Sequence, residues 1–192
     1  MKKDIIIAGV GGQGILSIAA IIGLSAVNSE LFLKQAEVHG MSQRGGAVQS
    51  HLRISDREIA SDLITEGNCD LILSVEPMEA LRYVPYLAEE GWLVTSGKSF
   101  RNIEDYPAEE ELFAEIRKLD NQRIIDAETI AKDLGSQKVS NVVMLGAAMD
   151  LLDIAADKME KAIRMLFGRK GEEMVRMNLE ALESGRRIAQ KI

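Results

Sequence analysis

Asp4-Ile-Ile-Ile-Ala-Gly-Val-Gly-Gly-Gln-Gly14 decides the reading of this chain. Three consecutive isoleucines predict a buried strand. β-Branched side chains suit a pleated surface, and an unbroken apolar run suits a strand covered on both faces. Gly9, Gly11 and Gly14 follow in G-x-G-x-x-G spacing, with a further glycine at Gly12. From Gln13 onward Ile15, Leu16, Ile18, Ala19, Ile22 and Gly23 recur at helical spacing. A strand, a glycine turn and a helix form the context in which such a loop binds nucleotides. In that reading Gly9 makes the tight turn, Gly11 and Gly12 present backbone N–H groups, and Gly14 lets the helix pack closely on the strand. The helix N-terminus adds partial positive charge, so Gly9, Gly11, Gly12, Gln13 and Gly14 form a candidate anion or cofactor site. The plainer reading is a turn that serves packing alone.

A dinucleotide loop also needs an acidic residue about 20 positions on, at the end of the second strand. Glu30 and Glu37 are near that distance, but Lys34, Gln35 and Glu37 break the run from Leu31 to Val38. The dinucleotide reading therefore lacks its second half.

The 192 residues and 46% hydrophobic content suit one α/β domain over residues 1–192, with 141–192 as its helical C-terminal part. A net charge of −7 and a pI near 5.0 argue against nucleic-acid binding by phosphate neutralisation. No apolar run approaches the roughly 20 residues that span a bilayer. Met1-Lys2-Lys3-Asp4 runs straight into the first strand and does not read as a signal peptide. The lone cysteine, Cys69, fits a reducing cytoplasm and excludes a disulfide framework. It also excludes an iron–sulfur cluster held by this chain alone. His39 and His51 have no metal-ligand spacing around them, so no metal site is expected.

Strands are expected at 4–9 and 47–54, a strand or extended segment at 31–39, and, after a turn at Ser55-Asp56-Arg57, a return strand over 58–64 making an antiparallel hairpin. Asp70 to Val75 reads as another buried strand. Pro77 opens a helix with Met78, Leu81, Val84 and Leu87 on one face. Gly91 reads as a turn before a strand at 92–95. A helix at 109–118, a strand at 123–126 and a helix at 127–134 follow. Ser140-Asn141 reads as a cap for an apolar helix. The last two helices are expected at 157–167 and 171–192, the latter with Met174, Met177, Ala181 and Ile188 on its stripe. Alternating strands and helices argue a three-layer α/β/α sandwich with a Rossmann-like, mostly parallel sheet.

Few residues offer chemistry. No Ser-His-Asp set, cysteine nucleophile motif or phosphate-binding Gly-Lys-Ser/Thr loop is visible, and no catalytic residue is assigned. Glu76 and Glu79 follow a strand end, where α/β sites lie, yet they read more simply as first-turn acids favoured by the helix dipole. The nine methionines read as core filling or partner surface. Glu37-Val-His-Gly-Met-Ser-Gln-Arg-Gly-Gly46 is the exception. It places the Arg44 guanidinium, an anion fork, on a backbone that approaches other surfaces closely.

Four stretches in order, GVGGQG, HGMSQRGGAVQSHLR, DLILSVEPMEALRY and NVVMLGA, resemble the gamma subunit or domain of the 2-oxoacid:ferredoxin oxidoreductases. The likeness is strongest to the small (beta) subunit of indolepyruvate ferredoxin oxidoreductase and covers about residues 4–150. It implies a subunit of an enzyme that decarboxylates a 2-oxoacid on thiamine diphosphate with Mg2+. Such enzymes pass electrons through [4Fe-4S] clusters to ferredoxin and release an acyl-CoA. This chain has no Gly-Asp-Gly thiamine signature and one cysteine. The resemblance therefore puts those cofactors on partner chains and leaves this one non-catalytic, packing against them and helping to bind CoA at the interface. It also makes His39, Ser42, Gln43, Arg44, Gly45 and Gly46 the expected partner-facing loop. The alternative is an independent nucleotide-binding protein using the glycine loop.

Overall fold

A computed structural model describes residues 1–39 and 45–192. Among them six strands form one sheet in the order β2-β3-β1-β4-β5-β6. The strands are β1 (Lys2–Val10), β2 (Phe32–His39), β3 (Ala47–Ser55), β4 (Cys69–Ser74), β5 (Leu87–Ser96) and β6 (Gln122–Ile125). β1, β4, β5 and β6 are mutually parallel, whereas β3 runs antiparallel to both β1 and β2. The isoleucine run behaves as its composition predicts. Ile5 and Ile7 enter the core on one face, Ile6 and Ala8 the core on the other, and all are fully buried. Period-two alternation with both faces apolar needs a helical layer on each side.

The larger layer holds α1 (Ile15–Val27), α4 (Ala127–Asp133), α5 (Ser140–Ala147), α6 (Ala156–Phe167) and α7 (Glu172–Ala189). The smaller one holds α2 (Pro77–Arg82) and α3 (Glu109–Ile116). Ile15, Ile18, Ile21 and Ile22 of α1 are all buried, as suits a helix covered nearly all round. α5 and α7 touch along their backbones. A Cβ on Gly146 would lie 2.1 Å from the Leu182 carbonyl oxygen, and one on Gly185 2.0 Å from that of Val143.

The antiparallel hairpin exists, but between β2 and β3 rather than between 47–54 and 58–64. Both edges of β3 are already paired, so 58–64 cannot form a hairpin with it and carries no strand structure. Side chains hold it there instead. Arg53 donates to the carbonyls of Ser61 (3.0 Å) and Leu63 (3.1 Å), and the Ile64 amide donates to His51 Nδ1 at 3.1 Å. Behind it, Asp4 takes a bidentate bond from Arg53 at 2.7 and 3.0 Å. This cover makes β3 more buried than its alternating sequence predicts.

Four further expectations are corrected. α2 has only six residues and buries Pro77, Glu79 and Ala80, so the stripe through Val84 and Leu87 does not form. Gly91 lies inside β5 at the register shift between the Cys69–Leu87 and Leu71–Trp92 pairs, where an added Cβ would be 2.6 Å from the Cys69 carbonyl oxygen. Ser140 and Asn141 are already within α5, whose preceding residue, Val139, makes no side-chain cap. α7 turns Val175, Asn178, Ala181, Leu182 and Gly185 inward, while Met174, Met177 and Ile188 stay at the margin. The need to bring Gly185 against α5 rotates the buried face.

Candidate functional site

The four parallel strands end along one edge, and the chain leaves β1 and β4 in opposite directions. Such a switch point opens a crevice beyond the strand ends, where α/β proteins bind ligands. Around it the glycine loop follows β1, Glu76 follows β4, Ser96 closes β5 and Asp126 follows β6. A cavity of about 200 Å³ lies there, lined by Gln13, Val75, Ser96, Phe100, Asn141 and Met144 among others. A neighbouring cavity of about 280 Å³ is lined by Gly12, Gln13, Gly14, Ser17, Lys138, Asn141, Lys170 and Asn178 among others. Each lies below the roughly 300–1,000 Å³ of ordinary ligand pockets, so neither encloses a dinucleotide alone.

The glycine loop is largely occupied with its own fold. Gln13 N donates to the Val10 carbonyl at 3.1 Å, and Val10 N donates back to Gln13 Oε1 at 2.8 Å. The Gly11 amide donates to the Gly46 carbonyl at 2.9 Å, so it is spent inside the protein rather than offered outward as the motif suggests. Two glycine roles are also exchanged. Gly9 allows the close packing near the strand, since its Cβ would lie 2.5 Å from Val75 Cγ2 and 3.0 Å from Ile15 Cδ1. Gly14, at φ +82°, would bring a Cβ within 2.4 Å of Asn141 Nδ2 on α5, not against β1. Among the described residues the amides of Gly12, Gly14, Ile15 and Leu16 find no partner. The first turn of α1 has no acidic residue, and Lys138 and Lys170 flank the larger cavity. That combination suits an anion.

The dinucleotide reading fails for a topological reason. Glu37 lies on β2, but β3 separates β2 from β1. Two inter-strand steps, about 9–10 Å, put that carboxylate away from the glycine loop.

Glu76 is the least expected feature of this edge. Fully buried, it caps α2 by accepting the Glu79 amide at 2.8 Å. Its other oxygen accepts the Phe100 amide at 3.3 Å and the Tyr106 hydroxyl. Burial pushes its pKa up, against the downward pull of those hydrogen bonds. Glu79, also buried, pairs with Arg82 at 3.0 Å. The first-turn reading of both acids is thus right for α2 and incomplete for Glu76.

The family model described as pyruvate ferredoxin/flavodoxin oxidoreductase matches residues 4–188. The chain belongs to that family. It is similar to the indolepyruvate oxidoreductase subunit IorB of Archaeoglobus fulgidus, at 34% identity over 96% of this chain and 94% of that one. Among solved structures it is similar to the keto/oxoacid ferredoxin oxidoreductase gamma subunit of Geobacter sulfurreducens PCA. There the TM-score is 0.72 and the identity 25%, with 99% of each chain covered. The fold also recurs, at TM-score 0.78 and 20% identity, in the 2-oxoglutarate:ferredoxin oxidoreductase of Magnetococcus marinus, which carries 2-oxoglutarate, coenzyme A and succinyl-CoA. The match covers all of this chain and 31% of that longer one.

In this member of the family the two glycine-rich stretches, read separately in the sequence, meet. Gly11 and Gly46 are hydrogen-bonded, and Asn102 Nδ2 donates to the Gly45 carbonyl at 2.7 Å. His39 closes β2 opposite Val48. Ser42, Gln43 and Arg44 lie outside the described residues. Asn102 and Tyr106 escaped the motif reading because they act across long sequence separations, with no local spacing to betray them. Asn141, read as a cap and as the start of NVVMLGA, was seen without its partner Gly14. Cys69 is buried, and burial pushes its thiol up to about 12, so it offers no thiolate. Among the described residues no cluster of three His, Cys, Asp or Glu is placed to hold a metal ion, and no helix is long and apolar enough to cross a membrane.

Proposed function

We propose that this chain is the small, gamma-type subunit of a 2-oxoacid:ferredoxin oxidoreductase of the indolepyruvate kind, and is itself non-catalytic. One observation carries the reading: likeness to an indolepyruvate oxidoreductase subunit runs nearly end to end through both chains. The donor set agrees with it. Clusters of the [4Fe-4S] type take several thiolates, and this chain has one buried thiol held protonated. Thiamine diphosphate, Mg2+ and the clusters therefore belong to partner chains, which reduce ferredoxin, and residues 1–192 act as one unit beside them in the cytoplasm. Related enzymes are named for indolepyruvate and for 2-oxoglutarate on this same fold, so the thiamine-bearing chain selects the 2-oxoacid.

The residues present fit the phosphate part of CoA. Unpaired amides of Gly12 and Gly14, with Lys138 and Lys170, would hold it at the start of α1. CoA supplies the thiol that takes the acyl group. A cavity of about 280 Å³ holds only part of such a molecule, and the rest would lie against the partner. The loop from His39 to Gly46 is assigned to that contact, with Arg44 meeting a carboxylate, phosphate or carbonyl cluster.

The test is reconstitution. The pure chain, given indolepyruvate, pyruvate or 2-oxoglutarate with CoA and a dye acceptor, is expected to be inactive. The complex with the thiamine- and cluster-bearing chain is expected to turn over. Turnover by the pure chain would sink the subunit reading.

A further inference from the structure

Residues 97–107 carry neither helix nor strand, yet they are fastened at both ends of the crevice. At one side the Phe100 amide and the Tyr106 hydroxyl both reach the same carboxylate oxygen of Glu76. At the other, Asn102 holds the carbonyl of Gly45, next to the Gly46 carbonyl that binds Gly11. The stretch is thus a strap from the end of β4 to the β2–β3 hairpin. Its outward side chains include Phe100 and Ile103, 46% and 51% exposed. Glu76 has no exposure, so it touches neither ligand nor partner itself.

We propose that Glu76 is a positioning residue: through the Phe100 amide and Tyr106 it pins the strap whose Asn102 sets the Gly45-Gly46 turn for the partner chain. This rests on the assignment of that turn to the subunit contact. A carboxylate suits the task because it accepts several hydrogen bonds at once, here from Glu79, Phe100 and Tyr106. One buried group thereby couples the α2 cap to the strap. Charged hydrogen bonds in a buried setting are strong and directional, and they fix a segment that has no ladder of its own.

Three substitutions separate the functions. Glu76→Asp retains a good α2 cap but is one methylene too short for the strap. Tyr106→Phe removes the strap bond and leaves the cap untouched. Asn102→Ala frees only the Gly45 end. Each is co-expressed with the thiamine-bearing partner, and the intact complex is examined by hydrogen exchange and by loss of turnover on dilution. Exchange over 97–107 is expected to rise in Glu76→Asp and Tyr106→Phe while α2 is unchanged. All three are expected to dissociate at about tenfold higher concentration, from the loss of charged or buried hydrogen bonds, with KM for the 2-oxoacid unchanged. Faster exchange with unaltered dissociation in all three would overturn the proposal; if Arg44→Ala still weakens assembly, the subunit contact stands without it. Unchanged exchange over 97–107 would overturn it outright. If Arg44→Ala and all three variants assemble normally, the assignment of the turn to the contact fails and takes the proposal with it.

Discussion

Asn141 Nδ2 donates to the carbonyl oxygen of Gly14 at 3.0 Å, joining the first turn of α5 to the start of α1 across 127 residues of sequence. The two residues are in contact twice over, since a Cβ on Gly14 would strike that same amide at 2.4 Å. Asn141 therefore seals the glycine loop from above and lines both cavities of the crevice.

Gly14→Ala is expected to destabilise the fold on two counts. The left-handed conformation at φ +82° costs an L-residue about 1–2 kcal/mol, and the contact with Asn141 adds to it. Asn141→Ala removes a bond worth about 1 kcal/mol but also clears the space. The penalty of Gly14→Ala should thus be smaller when Asn141 is already alanine. Urea unfolding of the two single variants and the double variant measures that coupling. Strict additivity would show that the contact is relieved by movement elsewhere.

Gly185→Ala tests the α5–α7 crossing. Alanine favours a helix over glycine by about 1 kcal/mol, so an isolated helix would gain. Here the Cβ would lie 2.0 Å from the Val143 carbonyl oxygen and 2.8 Å from the Ala147 amide nitrogen, both backbone atoms that cannot swing aside. Overpacking of this kind costs about 1–3 kcal/mol, and a lower Tm is expected. Gly168→Ala is the control, because its Cβ meets nothing within 4 Å. Its Tm should hold or rise.

The pH dependence of stability should carry a contribution from His51. Nδ1 accepts the Ile64 amide at 3.1 Å, and a protonated ring would oppose one donor with another. Burial, then the charge of Arg53, hold its pKa below 6.5 against the opposing pull of Asp62. The unfolded chain therefore takes up the proton first as pH falls. The stabilisation is full above pH 6.5 and is lost as pH drops below it toward the folded value. Thermal melts of wild type and His51→Gln across that window should converge as the solution is acidified. Parallel curves would mean that His51 titrates alike in both states.

Cys69 should behave as a buried apolar side chain. Its thiol, pushed up to about 12, also lies close to the carbonyl oxygen of Leu71 at 3.1 Å. Iodoacetamide at mildly alkaline pH is expected to leave the folded protein unmodified and to label it fully in denaturant. Rapid labelling of the folded protein would show that the β1–β4 region opens readily.

Much of this fold is written locally. Ile5, Ile6 and Ile7 declare a strand buried on both faces, and the apolar helix after Gly14 must cover one of them. Asp70 to Val75, the proline start of α2 and Gly135 beyond α4, at φ +93°, are likewise properties of short stretches. The order of four such stretches was enough to mark the family, which needs no knowledge of what touches what.

The tertiary structure decided the rest. Which neighbour β3 takes depends on which edges remain free, and with β1 and β2 on either side of it residues 58–64 could not pair with it. The separation of Glu37 from the glycine loop follows from the same insertion, invisible to a count of residues along the chain. Gly14 was legible as a glycine that something approaches closely, but not that the approaching group is Asn141. The Glu76 carboxylate joins β4, α2 and the strap at 97–107 because hydrogen bonding depends on distance in space and direction. Periodicity reports which face of an element is apolar; only packing assigns that face a partner.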